Sequence, residues 1–214
     1  MPRLSRKQKQ EHTRSCLMKS AARVFARSGL SGASIDDVAE DAGFTKGAFY
    51  ANFKNKEELF LAMLDESFSE RIAETEGAFS TEESPPEQAR HSAGDFARAM
   101  SSDPDKVRLK FEFASHAMRS EAFRAELLTR FATLRKRLED IYRRRAEQYG
   151  LEPAVPMDRI VRMTIAMADG WELWHLLEPE GVDDQMLEEM MEIFTTGYGV
   201  MSGALEVHAA GSGQ

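Results

Sequence analysis

Gly43-Phe44-Thr45-Lys46-Gly47-Ala48-Phe49-Tyr50-Ala51-Asn52-Phe53-Lys54-Asn55-Lys56-Glu57-Glu58-Leu59, preceded by Ser34-Ile35-Asp36-Asp37-Val38-Ala39, is the stretch of sequence that decides the fold. Behind Ser34, the apolar residues Ile35, Val38, Ala39 and Ala42 recur at helical spacing. Ser34 is suited to cap that helix, and Asp36 and Asp37 fall in the first turn, where the helix dipole favours acids. Gly43 breaks the helix, Thr45 is placed to cap a third one running to about Ala51, and Asn55 a fourth, with Glu58 at the capping-box position. Two short helices across a glycine-containing turn make the helix-turn-helix pattern. Ala39 and Ala48 are small enough for close packing, and Ile35, Val38, Phe44, Phe49 and Phe53 would fill the interface with the flanking helices. Thr45, Lys46, Gly47, Tyr50, Ala51 and Asn52 are left facing outward. A cation, hydroxyls and an amide beginning at a helix N-terminus suit a major groove. Two short helices are common, so this pattern alone leaves DNA binding and plain packing both open.

Outward from this unit, everything reads as helix. Leu17, Ala21, Val24 and Phe25 form one apolar stripe over 8–28, and Gly29 follows where a helix end favours a left-handed residue. The fourth helix continues through Leu59, Phe60, Met63, Leu64 and Phe68 to about Glu76. Residues 80–86 are polar and end in two prolines, which reads as a loop. Further helices are expected at about 86–100, 104–118, 121–149, 157–177 and 184–205, with no convincing strand pattern or internal repeat. The expected fold is all-α, of about nine helices. A three-helix DNA-binding domain over 1–54 precedes a helical body over 55–206, joined through a linking helix at about 55–76. A small polar tail, 207–214, is expected to be disordered.

The composition supports this and excludes much else. A chain of 214 residues with 42% hydrophobic and 30% charged residues can bury a core in one or two domains. No stretch approaches the ~18 uncharged apolar residues of a membrane span. The basic start (Arg3, Arg6, Lys7, Lys9) lacks the apolar segment of an export signal, so a cytoplasmic protein is expected. The lone Cys16 cannot form an internal disulfide, and the five scattered histidines lack metal-site spacing, so no metal or other cofactor is expected. The net charge of −8 is unevenly spread: residues 1–60 carry 11 Lys+Arg against 7 Asp+Glu, the remainder 17 against 29. A basic end on an acidic body can hold nucleic acid in one orientation without binding it indiscriminately. The arm from Arg3 to Lys9 could track DNA or serve as a solubilising tail. The cluster of Arg135, Lys136, Arg137, Arg143, Arg144 and Arg145 is interleaved with Glu139 and Asp140 and reads as a salt-bridged helical face rather than a second nucleic-acid patch.

The run Gly43 through Leu59, with the Ser34 to Ala39 helix and the Phe25 to Gly29 helix end, resembles the signature of TetR-family transcriptional regulators over roughly a quarter of the chain. The resemblance implies an all-helical homodimer that binds double-stranded, pseudo-palindromic operator DNA and releases it when a small molecule binds the carboxy-terminal domain. It implies that Ser34 contacts phosphate, that Thr45 and Lys46 lie at the groove with Lys46 at a base edge, and that Gly47 lets the backbone approach closely. Tyr50 should donate its hydroxyl to a phosphate, Asn52 should lie near a further backbone contact, and Lys56 should join the amides of the fourth helix on a phosphate. Ala48 and Ala51 depart from the commonest pattern, lacking a hydroxyl and a larger side chain, so base readout would lean on Lys46, Thr45 and thymine methyl contacts.

In the body, the last two long helices are apolar over a wide face, and the resemblance implies that they pair with their copies in a partner subunit. The alternative is that both faces are buried within one subunit. Phe96, Met100, Phe111, His116, Met163, Met167, Trp171 and Trp174 are candidates for an adaptable, largely apolar effector pocket. The same residues at helical spacing also suit plain core. Asp169, Glu172 or Glu112 could face a cationic ligand, but each better suits an exposed or salt-bridged position. No nucleophile turn, phosphate loop or dinucleotide fingerprint is present, so an enzyme is not expected. A ligand-released repressor is the leading reading. A ligand-independent or activating regulator and a DNA-tethered protein-interaction module are its alternatives.

Overall fold

The computed structural model describes residues 5–79 and 83–202, and these form nine helices without a strand. They are α1 (Arg6–Gly32), α2 (Ile35–Asp41), α3 (Lys46–Tyr50), α4 (Lys56–Ala78), α5 (Pro85–Ser101), α6 (Pro104–Ala117), α7 (Glu121–Gln148), α8 (Met157–Leu177) and α9 (Asp184–Met201). The all-α expectation holds. The start of α1 is set by Ser5, whose side chain accepts from the Gln8 amide while Gln8 bonds back, so Arg6, Lys7 and Lys9 stand on a helix. Gly29 takes φ +67°, as its position suggests, but the chain turns helical again up to Gly32. Arg3 and the tail 207–214 lie outside the described residues.

The chain divides into two compact units, with the division falling inside α4, between α5 and α6, and inside α7. The first unit holds the described residues up to Ser69 together with Asp103–Arg130. Its core joins Leu17, Ala21, Val24 and Phe25 of α1 to Val38 and Ala39 of α2, Phe49 of α3, and Leu59 and Phe60 of α4. The helix α6 packs on α1 here: Phe113 stacks against Phe60 and meets Phe25 edge-on at 6.0 Å. Glu112 accepts from the Leu30 amide at 2.6 Å. Asp41 ties α2 to α1, accepting from Ser20 Oγ at 2.9 Å, Arg23 Nε at 3.1 Å and Arg27 Nη2 at 3.1 Å. These donors hold the Asp41 carboxyl down at about 2, with Arg23 the largest cause, then Ser20 and Arg27.

The second unit holds Glu70–Ser102 and the described residues from Phe131 onward. The helices α5 and α9 lie closely paired, with Ala93 and Ala97 packed on Leu187 and on Trp171 of α8. Three helix ends meet at one knot: Ser101 Oγ donates to Asp184 at 2.5 Å, and His175 Nδ1 lies 2.6 Å from the Val182 carbonyl. Trp171 Nε1 donates to the Asp183 carbonyl at 2.8 Å and its ring stacks on His175. On α7, Lys136 pairs with Asp140, Arg143 with Glu139, and Arg144 with Glu76, as expected of a salt-bridged face. Arg145 departs from that expectation. It is buried, because its guanidinium donates to the Glu83 carbonyl and to Tyr149 Oη and lies over the Tyr149 ring.

Candidate DNA-binding surface

The reader is assembled by hydrogen bonds that the local sequence dictates. Ser34 caps α2, accepting from the Asp37 amide at 3.0 Å while Asp37 accepts from the Ser34 amide at 2.8 Å. Gly43 ends α2 at φ +74°, the left-handed conformation that a side chain resists. Its amide donates to Glu40 O at 2.9 Å and the Phe44 amide to Ala39 O at 2.8 Å, which together form a Schellman closure. Thr45 Oγ1 then caps α3 by accepting from the Ala48 amide at 3.2 Å. The helix is anchored by the buried Phe49 and Phe53. Arg14 of α1 fastens its far end, lying 4.2 Å over the Phe53 ring and donating to the Asn52 carbonyl at 3.1 Å.

What remains outward is a small contiguous face. Thr45, Lys46, Gly47, Tyr50 and Ala51 are exposed, Tyr50 to 52%. A Cβ added at Gly47 would meet only Thr45 Oγ1, at 3.7 Å, which is ordinary contact. Nothing inside the fold demands glycine at this position. Lys46 Nζ donates to Asp36 Oδ2 at 2.8 Å across the turn, and that bond raises its pKa. The α3 cation is thus partnered by an acid on α2. Sequence spacing does not reveal this, because the nine intervening residues must fold before the two side chains meet.

Two expected members of the face are turned inward. Asn52 is half-buried: its Nδ2 donates to the Ala48 carbonyl at 2.8 Å, and its Oδ1 is buried without a partner. A short amide at the end of a five-residue helix reaches back to a free carbonyl sooner than out to solvent. Lys56 is half-buried as well, its Nζ donating to the Leu30 and Ala33 carbonyls at 2.6 Å each. The end of α1 offers unpaired carbonyls at the negative pole of its dipole, a natural seat for an ammonium group. The amide end of α4 is capped otherwise, by Asn55 Oδ1 accepting from the Glu58 amide at 2.7 Å, while Glu58 accepts from the Lys54 amide at 2.6 Å.

The candidate effector residues are not all brought together. Phe96, Met100 and Trp171 join one cluster of the second unit. Phe111 and His116 belong to the first unit, where His116 Nε2 lies 2.6 Å from Glu57 Oε1 and its ring packs on Phe123. Met163 and Trp174 are exposed on α8, and Met167 is half-buried. His116 reads as a polar tie between α6 and α4. Glu112 is engaged by the Leu30 amide, and Glu172 is buried.

The profile of bacterial regulatory proteins of the tetR family matches residues 17–63, which span this reader. A second profile, the carboxy-terminal domain of BetI-type transcriptional repressors, matches residues 85–198, just over half of the chain. The chain belongs to the TetR family. It is therefore a DNA-binding transcriptional regulator, in a family of regulators rather than enzymes. The HTH-type transcriptional regulator YfiR of Bacillus subtilis is 24% identical over 160 residues, covering 72% of this chain and 75% of YfiR. TtgR of Pseudomonas putida is 42% identical over 59 residues, a match confined to 28% of each chain. Among solved structures, Bacillus subtilis FadR in complex with stearoyl-CoA shares the fold with a TM-score of 0.70 at 14% identity, covering 90% of this chain and 99% of FadR. No helix among the described residues is long and apolar enough to cross a membrane, and no cluster of three or more potential metal ligands occurs among them.

Proposed function

We propose that this TetR-family protein is a homodimeric repressor that reads a pseudo-palindromic operator through α3 and is released by a small, largely apolar effector. The observation that carries the reading is the outward face of α3, where the cation, hydroxyls and backbone of Thr45, Lys46, Gly47 and Tyr50 are exposed on a rigidly anchored five-residue helix. Thr45 and Lys46 meet the groove, Gly47 lets the backbone approach, and Tyr50 and Ser34 contact phosphates. Asn52 and Lys56 support these contacts from behind rather than making them.

Dimerisation is supported by α8 and α9, which keep Trp174 55%, Leu177 65% and Ile193 73% exposed. Large apolar residues left this exposed on two packed helices suit an interaction site, and two half-sites one helical turn apart require two readers. The repressor sense is supported by the BetI-type repressor profile. The effector reading is supported by the fold shared with FadR, whose structure holds stearoyl-CoA. Selection of genomic fragments by the purified protein at physiological salt tests this. The expected product is a shared imperfect palindrome with half-sites about one helical turn apart. Retention of fragments without a common motif would contradict sequence-specific reading.

A further inference from the structure

The second unit contains a cation that DNA binding does not use. Arg71 lies on the part of α4 that belongs to this unit, its guanidinium carbon 4.3 Å from the centroid of the Phe96 ring. Its Nη1 is buried and has no hydrogen-bond acceptor among the described residues. The Glu74 carboxylate stands 4.0 Å from that nitrogen, beyond hydrogen-bond reach, and is half exposed, so its charge is screened by water. Burial pushes the Arg71 pKa down, and Tyr142, Glu74 and Glu172 act the other way without restoring it. A guanidinium nitrogen buried without an acceptor is costly unless one reaches it.

The surroundings are those of an amphipathic guest. Phe96 covers one face of the guanidinium and itself packs against the cluster containing Trp171 and Leu187, with Met100 at its border. A second buried donor without a partner, Tyr198 Oη, sits on α9. Tyr198 packs on the same small cluster as Tyr142, which is one of the groups acting on Arg71. With one face of the guanidinium on an aromatic ring, the N–H groups of Nη1 lie in its plane, the direction from which a carboxylate oxygen accepts.

We propose that Arg71 anchors the carboxylate of an organic acid whose apolar body lies against Phe96 and the cluster containing Trp171. This rests on the effector reading above and names its chemical class. A cationic ligand is repelled by Arg71. A neutral one satisfies the N–H without balancing the charge.

The test is calorimetric titration of the full-length protein with benzoate and octanoate, against benzamide and octanamide as neutral isosteres. Saturable binding of one acid, at least tenfold tighter than its amide and weakened at least tenfold by Arg71→Gln, supports the site. Arg71→Lys keeps the charge without the fork and should fall between. The site is overturned if neither acid binds, if acid and amide bind alike, or if a folded Arg71→Gln variant binds as the parent does. Should that variant not fold, the acid-against-amide comparison on the parent decides. Acid binding that leaves DNA bound would defeat the effector reading and leave the site standing. DNA release by neutral or cationic compounds alone would do the reverse.

Discussion

Lys46 is the residue at which free and DNA-bound demands compete. In the free protein its ammonium is held by Asp36 at 2.8 Å, with both side chains largely exposed. An exposed, solvent-screened pair of this kind is weak enough for a guanine edge or a phosphate to displace. On the proposed reading, Asp36 also sets a negative charge beside the groove-facing helix and would discourage contact with DNA that offers Lys46 no better partner. Asp36→Asn should therefore tighten binding to non-cognate duplex by up to about fivefold at low salt, with the difference fading as salt rises. Anisotropy titrations on random DNA across a salt series would show it. Weaker or unchanged binding at low salt would mean that Asp36 only orients Lys46. Lys56 carries the opposite lesson. The sequence marks it as a phosphate ligand, whereas two carbonyls at the end of α1 hold its ammonium.

At the scale of elements, the clamp between α1 and α2 makes a pH prediction. The Asp41 carboxyl is lowered from 3.8 to about 2, so the stability that Arg23, Ser20 and Arg27 draw from it is complete above about pH 4. It is lost as pH falls through about 2. Asp41→Asn should lower the melting temperature at pH 7, and the gap from the parent should close on acidification between pH 4 and 2. A gap that stays constant down to pH 2 would show that the clamp does not act through ionisation. Helix ends were legible because Ser34, Gly43, Thr45 and Asn55 act within three residues of themselves, and all four take the expected roles. The docking of α6 onto α1 was not legible. It depends on Phe113 and Glu112 meeting Phe25, Phe60 and Leu30 across long stretches of chain, and no helical period records that. The inward turn of Asn52 was hidden for the same reason: spacing gives the face of a helix but not which carbonyl a side chain reaches.

For the molecule as a whole, the proposed homodimer must hold two readers together, and α8 and α9 are its proposed interface. Ile193, at 73% exposure the most open large apolar residue on α9, makes no contribution to the buried core of its own chain. Ile193→Asp should leave the helical circular dichroism unchanged while shifting sedimentation from dimer to monomer. It should also lower affinity for a full operator by well over tenfold, because the second half-site no longer adds to the first. A variant that stays dimeric would place the interface elsewhere.

Whether the outward face of α3 reads operator DNA turns on Gly47, where folding and binding make opposite demands. Alanine is the better helix former by about 1 kcal/mol, and its Cβ meets only ordinary contact within the protein. The measurement is operator affinity beside melting temperature for Gly47→Ala, with Lys46→Ala alongside. Gly47→Ala is expected to leave the melting temperature unchanged or raised, with affinity at least tenfold lower in both variants. Parent-like affinity in both would contradict reading by this face.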